Sequence, residues 1–321
     1  MEGVTDAPMR SLLGELGAFD LAVSEFIRVS HEIPPAKVFL KHVPELKTGC
    51  RTAQGMPVAI QILGGDPGRM AQSALVAVSL GALAIDINFG CPAPTVNRHD
   101  GGATLLKYPS RIESIVAAVR GAVPSHLPVS AKLRLGWDCR DSIDENAEAA
   151  ASGGASWITI HGRTRIQGYA PPAYWEPIGR VRARLKIPVI ANGEIFSLED
   201  FKRCREVTGS EHFMLGRGAL GDPQLTLAIA KELGKEIPEH SILSWSERLE
   251  RFLVHSAPFP QSSPHYNLRR IKQWLSFAQK TGHIDWFDRV KRSESIEEIQ
   301  REISSFSKST RPSIPPASTI D

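Results

Sequence analysis

Short apolar runs rich in β-branched residues recur between residues 19 and 215, most of them followed by a stretch with helical spacing. The runs are Phe19–Val23, Val58–Leu63, Ala82–Ile87, Val129–Leu135, Trp157–Ile160, Pro188–Ala191 and His212–Leu215. Between them, Pro67–Leu80, Ser110–Val123 and Ser142–Ser152 carry apolar residues at helical intervals. Strands alternating with helices predict a parallel sheet joined by helical crossovers. The near-continuous apolar character of the runs fits strands buried on both faces.

Seven runs are visible, and an eighth would close a barrel. Glu25, Gln61, Asn88, Lys132, His161, Asn192 and Gly216 fall at or just after the runs. Chemistry-bearing residues at the carboxyl ends of many strands point to a (β/α)8, or TIM, barrel. A doubly wound open sheet would gather them at one or two switch points. The alternation stops near Glu239. Beyond it lie only helical patterns: Leu243–Ala257, Asn267–Thr281, Asp285–Lys291 and Ile296–Phe306, with Pro258, Pro260 and Pro264 breaking the first from the second. The expected division is an α/β barrel over 1–238, a small helical domain over 239–306, and a disordered Ser/Pro/Thr-rich tail over 307–321.

Composition narrows the class. The 321 residues are 42% hydrophobic and 23% charged, which is globular usage. No apolar run approaches the roughly 20 residues of a membrane span. The first residues lack the basic start and apolar stretch of a signal peptide. A cytoplasmic protein with no membrane partner is therefore expected. The four cysteines, Cys50, Cys91, Cys139 and Cys204, form no Cys-x-x-Cys pair, so no metal site is expected. A net charge of +3 decides nothing by itself, but its distribution does. Residues 269–292 hold Arg269, Arg270, Lys272, Lys280, Arg289, Lys291 and Arg292 against Asp285 and Asp288, with Trp274 and Trp286 interleaved. Such a patch reads either as a nucleic-acid backbone site or as a solvated helix face.

Several residues near the strand ends carry candidate chemistry. Asn192-Gly193-Glu194 and Gly216-Arg217-Gly218 follow successive late runs, where glycines let backbone N–H groups approach a phosphate and Arg217 adds charge. Each alone is an ordinary turn; together they favour a phosphate site. Lys132 has apolar neighbours, and a lysine in a barrel mouth needs an anionic partner. A reduced flavin ring is one such partner, and a snorkelling surface lysine is the alternative. Gln61, in an apolar strand, needs hydrogen-bond partners, from a ligand or from the protein. His161 leads a segment in which Arg163 and Arg165 can pair with phosphate and Tyr169 offers a stacking face. Cys91 lies on a loop flanked by Gly90 and Pro92, a setting for a proton donor rather than a buried structural thiol.

Taken together, these residues resemble the tRNA-dihydrouridine synthases. The matching motifs are Met1-Glu2-Gly3-Val4-Thr5-Asp6, Asn88-Phe89-Gly90-Cys91-Pro92 with the trailing Gly101-Gly102, Lys132-Leu133-Arg134, His161-Gly162-Arg163-Thr164-Arg165, Asn192-Gly193 and Gly216-Arg217-Gly218. The resemblance implies an FMN-bearing barrel with a helical tRNA-binding domain, NADPH (or NADH) as reductant, hydride delivery to C6 of a uracil, and Cys91 as proton donor to C5. It places FMN contacts on Met1, Glu2, Gly3, Gln61, Lys132, His161, Asn192, Gly193, Glu194, Gly216 and Arg217. Asn88, Arg163 and Tyr169 would face the RNA. The segments Ser24–Val29 and Arg269–Trp274 are similar to the bacterial branch acting on U16 of the D-loop, where Arg28, Arg270 and Lys272 would orient the tRNA. The protein is expected to act as a monomer.

Family members place a short apolar strand ending in Ala-Pro ahead of the Met-Glu-Gly motif. Here Met1 is the motif's own methionine, so a barrel short of its first strand is expected, with its neighbours left as unpaired edges. An FMN barrel acting on a free pyrimidine, and a non-catalytic tRNA-binding protein, are the competing functions. The first needs no basic helical domain, and the second carries no flavin.

Overall fold

A computed structural model describes residues 3–237 and 242–309. The chain divides into two compact units, Met1–Pro238 and Glu239–Asp321. The first opens with helix α1 (Ala7–Leu16), capped by the Asp6 carboxylate, which accepts from the Met9 N–H. Strands β1 (Ala22–Val23) and β2 (Ile27–Arg28) follow. Both pair in parallel with β3 (Val58–Leu63), one after the other, so they are two pieces of one interrupted edge. At the interruption the Ser24 hydroxyl accepts from the Gln61 N–H at 3.0 Å, standing in for a backbone carbonyl. Glu25 turns away and accepts from the Val4 N–H at 2.8 Å. The apolar pattern alone does not reveal β2, because it is two residues long and contains an arginine.

Beyond β3 the sheet continues in parallel through β4 (Ile85–Asn88), β5 (Val129–Arg134), β6 (Trp157–His161), β7 (Val189–Asn192) and β8 (His212–Met214). These are the strand positions of a (β/α)8 barrel short of one strand. The order runs from β1 at one edge to β8 at the other, and among the described residues no pairing joins those edges. The result is an α/β half-barrel.

The surrounding helices include α2 (Ala36–His42), α3 (Pro67–Ser79), α4 (Pro94–Asn97), α5 (Pro109–Ala122), α6 (Ile143–Ser152), α7 (Glu176–Arg184), α8 (Leu198–Thr208), α9 (Arg217–Gly221) and α10 (Leu225–Glu232). Their ends follow local chemistry. Asp66 caps α3 ahead of Pro67. Ser197 and Asp200 form a capping box on α8, and Gly209 ends it in the left-handed region at φ 60°.

The register separates the two faces of the sheet. On one face Ile60, Ile62, Ile85, Ile87, Leu133, Ile158 and Ile160 are fully buried in one core with Met70, Ile112, Val116, Ile143, Ile178 and Phe201 from the helices. Each such side chain contributes roughly 1.5–3 kcal/mol on burial. The other face carries Gln61, Asp86, Asn88, Ser130, Lys132, Arg134, Thr159, His161 and Asn192, which stand in matched register from strand to strand. The strands are therefore not apolar on both sides, as the runs suggested. The helix-facing side is, and the inner side holds a polar array.

The second unit comprises α11 (Trp245–Ser256), α12 (Pro264–Lys280), α13 (Phe287–Val290) and α14 (Ile296–Ser309). Pro264 does not break a helix here. It is the first residue of α12, behind the Ser263 cap, where its missing N–H costs nothing. Trp274 is fully buried, with Trp245 5.1 Å and Phe252 6.2 Å away between ring centroids. It is core rather than a stacking platform. Helix α14 extends into the first residues of the expected tail, and 310–321 lie outside the described residues.

Candidate active site

The inner face is built around a buried polar relay. Asp86 is fully buried on β4 and accepts from the Ser130 hydroxyl at 2.6 Å and from Gln61 Nε2 at 2.7 Å. Gln61 Oε1 accepts from Asn88 Nδ2 at 2.8 Å, and Asn88 Oδ1 accepts from the Gly90 N–H at 2.9 Å. Each amide therefore has a defined orientation, set by a carboxylate that can only accept. The relay ends on the loop that carries Cys91. Burial pushes the Asp86 carboxyl above its usual range, against the bonds from Ser130 and Gln61 and the Lys132 charge.

Cys91 is half-buried at the mouth, whereas Cys50 and Cys204 are buried and Cys139 is exposed. Its loop is pinned on both sides. The Cys91 carbonyl accepts from the Ala103 N–H at 3.0 Å. Arg134 donates from Nε to the Gly90 carbonyl at 2.9 Å, and from Nη1 to Thr164 and Gly168 at 3.1 and 2.8 Å. Arg134 thus ties the cysteine loop to the loop after β6. Gly102 adopts φ +61°, and a Cβ there would lie 2.9 Å from the Cys91 carbonyl oxygen. Only glycine meets both conditions.

Lys132 is level with Asn88 and Thr159 on the same face. Burial, and to a lesser degree Arg134, lowers its pKa to about 8, outweighing Asp86 and Cys91. Among the described residues no ion pair forms on it. His161 stands one step further along, level with Arg134 and Asn192. Burial holds its pKa well below 6.5, helped by Lys132, Arg134, Arg163 and Arg217. The ring is neutral at physiological pH, and its buried Nδ1 has no partner among the described residues.

Two expected site residues take different roles. Arg163 does not face RNA: it is fully buried, pairs with Glu194, and donates from Nε to the Ala170 carbonyl at 2.7 Å. Glu194, expected at the cofactor, has one oxygen on Arg163 and the other on the Ala173 N–H. Its carboxylate holds the loop after β6, while Glu194 itself, just after β7, is left-handed at φ 55°. Sequence gave these residues charge but not partners 31 positions apart. Asn192 donates to the Met214 carbonyl at 2.7 Å and Gly193 has φ 115°. Gly216 caps the short helix α9, and the Arg217 guanidinium lies 5.0 Å from the Tyr169 ring and 5.4 Å from Phe196. Tyr169 is exposed and meets His161 edge-on at 6.4 Å. Gln61 needs no ligand to satisfy its amide. Met1 and Glu2 lie outside the described residues, and Gly3 follows them at φ 73°.

Further out, Arg28 is exposed and donates to the Thr95 carbonyl at 3.2 Å. In the second unit Arg270 is 4% exposed and bonded to Gln273, so it is no free docking cation; Lys272 is half-buried. Arg289 and Lys291 pair with Glu302 and Asp288, while Arg269, Lys280 and Arg292 are exposed.

The family model described as dihydrouridine synthase (Dus) matches residues 1–307. The chain belongs to the dihydrouridine synthase family. It is 43% identical over 305 residues to a tRNA-dihydrouridine(16) synthase of Pseudomonas putida, covering 94% of each chain. A protein of the same name from Shewanella oneidensis is 46% identical over 281 residues, 87% of each chain. One from Neisseria meningitidis is 41% identical over 311 residues, 96% of this chain and 93% of the relative. Among solved structures, an old yellow enzyme homologue from Zymomonas mobilis covers 76% of this chain and 86% of its own, at 12% identity and a TM-score of 0.47. That likeness is too distant to bear on chemistry.

Within this dihydrouridine synthase fold, Asp86 and Ser130 carry no motif signal, and Arg134 lies in a matching motif that did not reveal its clamp on the two loops. Asp86 had a legible signal: it is the one acid inside the run Ala82–Ile87, two residues before Asn88.

Proposed function

We propose that this protein reduces the C5=C6 bond of a uridine in the tRNA D-loop, at position 16, to 5,6-dihydrouridine, acting in the cytoplasm as a monomer and without a metal. The observation that carries the reading is the placement of Cys91. It is a half-buried thiol on a loop held by Asn88, Arg134 and Ala103, at the end of a polar face on which, among the described residues, Lys132 forms no ion pair and His161 Nδ1 has no hydrogen-bond partner. An uncommitted Lys132 and an orphaned His161 Nδ1 fit an electron-rich, hydrogen-bonding ring such as the isoalloxazine of FMN. Residues 193, 216 and 217 suit its phosphate.

FMN bound there, reduced by NADPH or NADH, supplies the hydride for C6. The chain's own residues do the rest. Lys132 and His161 hold the ring, and Arg217 the phosphate. Cys91 delivers its proton to C5. Asn88, fixed through Gln61 and Asp86, keeps the cysteine loop in place and presents its edge to the uracil. A uracil in folded tRNA must be flipped out to reach this face. Tyr169 offers it an exposed ring, and Arg28, Lys272 and the exposed cations of the second unit meet the RNA backbone.

The test maps dihydrouridine in tRNA from a strain lacking the gene. Reintroducing the gene should restore the base at position 16, and Cys91→Ala should not. Full restoration by Cys91→Ala would remove the cysteine from the mechanism, and turnover on free uracil with none on tRNA would replace the substrate.

A further inference from the structure

A hollow of about 420 Å³ opens beside the cysteine loop, between α4 and the loops after β5 and β6. Trp137, Lys107, Arg165 and Arg98 line it, with Asn97 and Thr104. No carboxylate is among its lining residues. Lys107 Nζ lies 3.9 Å from the Trp137 ring centroid and the Arg165 guanidinium 4.6 Å, so both cations are gathered on one indole. Among the described residues none of the three cations has an ion-pair partner, and the buried Nε of Arg165 has no hydrogen-bond partner. Elsewhere on this unit, surface arginines such as Arg111, Arg180 and Arg184 are matched by acids. Three unmatched cations around one small concavity repel one another unless an anion enters.

The walls are built rather than loose. Thr104 bonds Asn97 through its N–H and its hydroxyl, each at 3.0 Å from Asn97 Oδ1. The Arg165 N–H donates to the Gly136 carbonyl and the Ile166 N–H to the Trp137 carbonyl, both at 2.9 Å. The hollow is also joined to the reaction centre. Ala103, next to Thr104, donates to the Cys91 carbonyl, and Arg165 lies on the loop that runs from His161, at the end of β6, to Tyr169. With cations stacked on the indole, the hollow suits a compact anion better than a base.

We propose that this hollow is a phosphate seat for the RNA strand, taking a backbone phosphate next to the flipped uridine, with Lys107 and Arg165 as its principal ligands and Arg98 at its rim. The inference rests on the reading of the protein as a tRNA uridine reductase. A phosphate held there fixes the strand on one side of the flipped nucleotide, so the target base enters in one register.

The experiment measures binding of an unmodified tRNA transcript to flavin-loaded protein across a salt series, with dihydrouridine formation followed in parallel. Lys107→Met and Arg165→Met keep the packing on Trp137 but remove the charge. Each should weaken binding on the order of tenfold at moderate salt and flatten the slope of log K against log salt by about 0.9. Lys107→Arg should restore both. Phosphate ethylation interference should mark a phosphate flanking the target uridine in wild type and lose it in Lys107→Met. Lys186→Ala, an exposed cation at the opposite end of the sheet, should change nothing. Wild-type affinity and slope in the Met variants, with flavin content intact, would overturn the phosphate seat alone. Wild-type protein that neither binds nor reduces tRNA would overturn the functional reading and the seat with it.

Discussion

Lys132 and Asn88 are direct partners across β4 and β5, on the face beneath the Cys91 loop. The pairing places the cation proposed to meet the flavin beside the amide that holds the Cys91 loop. Lys132 has a folded pKa of about 8, below its ordinary 10.5. The flavin-free protein therefore sheds this proton before the unfolded chain does, and its stability gains from Lys132 as pH rises between about 8 and 10.5. Flavin binding should show the opposite trend. Affinity should fall as pH passes about 8, because the charged amine is the form that an electron-rich ring selects. Lys132→Met should weaken flavin binding by about 1.5–3 kcal/mol, roughly tenfold to a hundredfold, and abolish this pH step. Flavin titrations across that range check both statements.

Cys91→Ala should lower the single-turnover rate of uridine reduction by about 10²–10⁴, the range for loss of a positioned general acid. Flavin content and tRNA affinity should hold, since Cys91 lines the mouth without bearing the structure.

Gly102→Ala should act on the same step from outside it. The new methyl would meet the Cys91 carbonyl at 2.9 Å in a left-handed backbone that costs a non-glycine residue about 1–2 kcal/mol. The cysteine loop must shift. A misplacement of about 1 Å costs on the order of a hundredfold in rate. The expected outcome is a variant that melts slightly early, keeps its flavin and reduces tRNA slowly. Normal turnover would show that the loop tolerates the shift.

Arg163→Ala should destabilise the protein by about 3 kcal/mol, because it strands Glu194 without its partner. The salt slope of tRNA binding should not move, in contrast to Arg165→Met. Chemical denaturation and the salt series separate the two arginines, which lie two residues apart.

That contrast shows where sequence reading reaches its limit. Strands β3 to β8 were legible because a buried strand must be apolar on the side that meets helices, and Val58–Leu63 is found as expected. The positions of the cysteine loop and of the glycines at the late strand ends were legible because turn signals are local. Arg163, Arg270 and Trp274 were not. A cation or an indole looks alike in sequence whether it meets solvent or a buried partner, and the partners of Arg163 and Trp274 lie on other loops or helices. The interrupted edge at Ser24 was hidden for a related reason: a side chain replaces a backbone acceptor there, which leaves no periodic trace.

Asp86 offers the sharpest separation of structure from chemistry. Its folded pKa is raised above 3.8 by burial, so the folded protein holds this proton more tightly than the unfolded chain. The associated stability is complete below about pH 3.8 and is lost as pH rises through the folded value. Asp86→Asn removes that loss. The new amide can accept from Gln61 Nε2 and donate to the Ser130 hydroxyl, which turns to accept. Gln61 and Asn88 then keep their orientations. The variant should gain stability relative to wild type as pH rises from 4 toward neutrality, while retaining flavin and activity. Asp86→Ala leaves the Gln61 and Ser130 donors buried and unmatched, at about 1–3 kcal/mol each. It also frees the Gln61 amide to turn, and Asn88 with it, so turnover should fall along with stability. Thermal melts across pH, paired with single-turnover rates, decide between the two variants. If Asp86→Asn loses activity as severely as Asp86→Ala with its stability intact, the carboxylate does more than orient the relay.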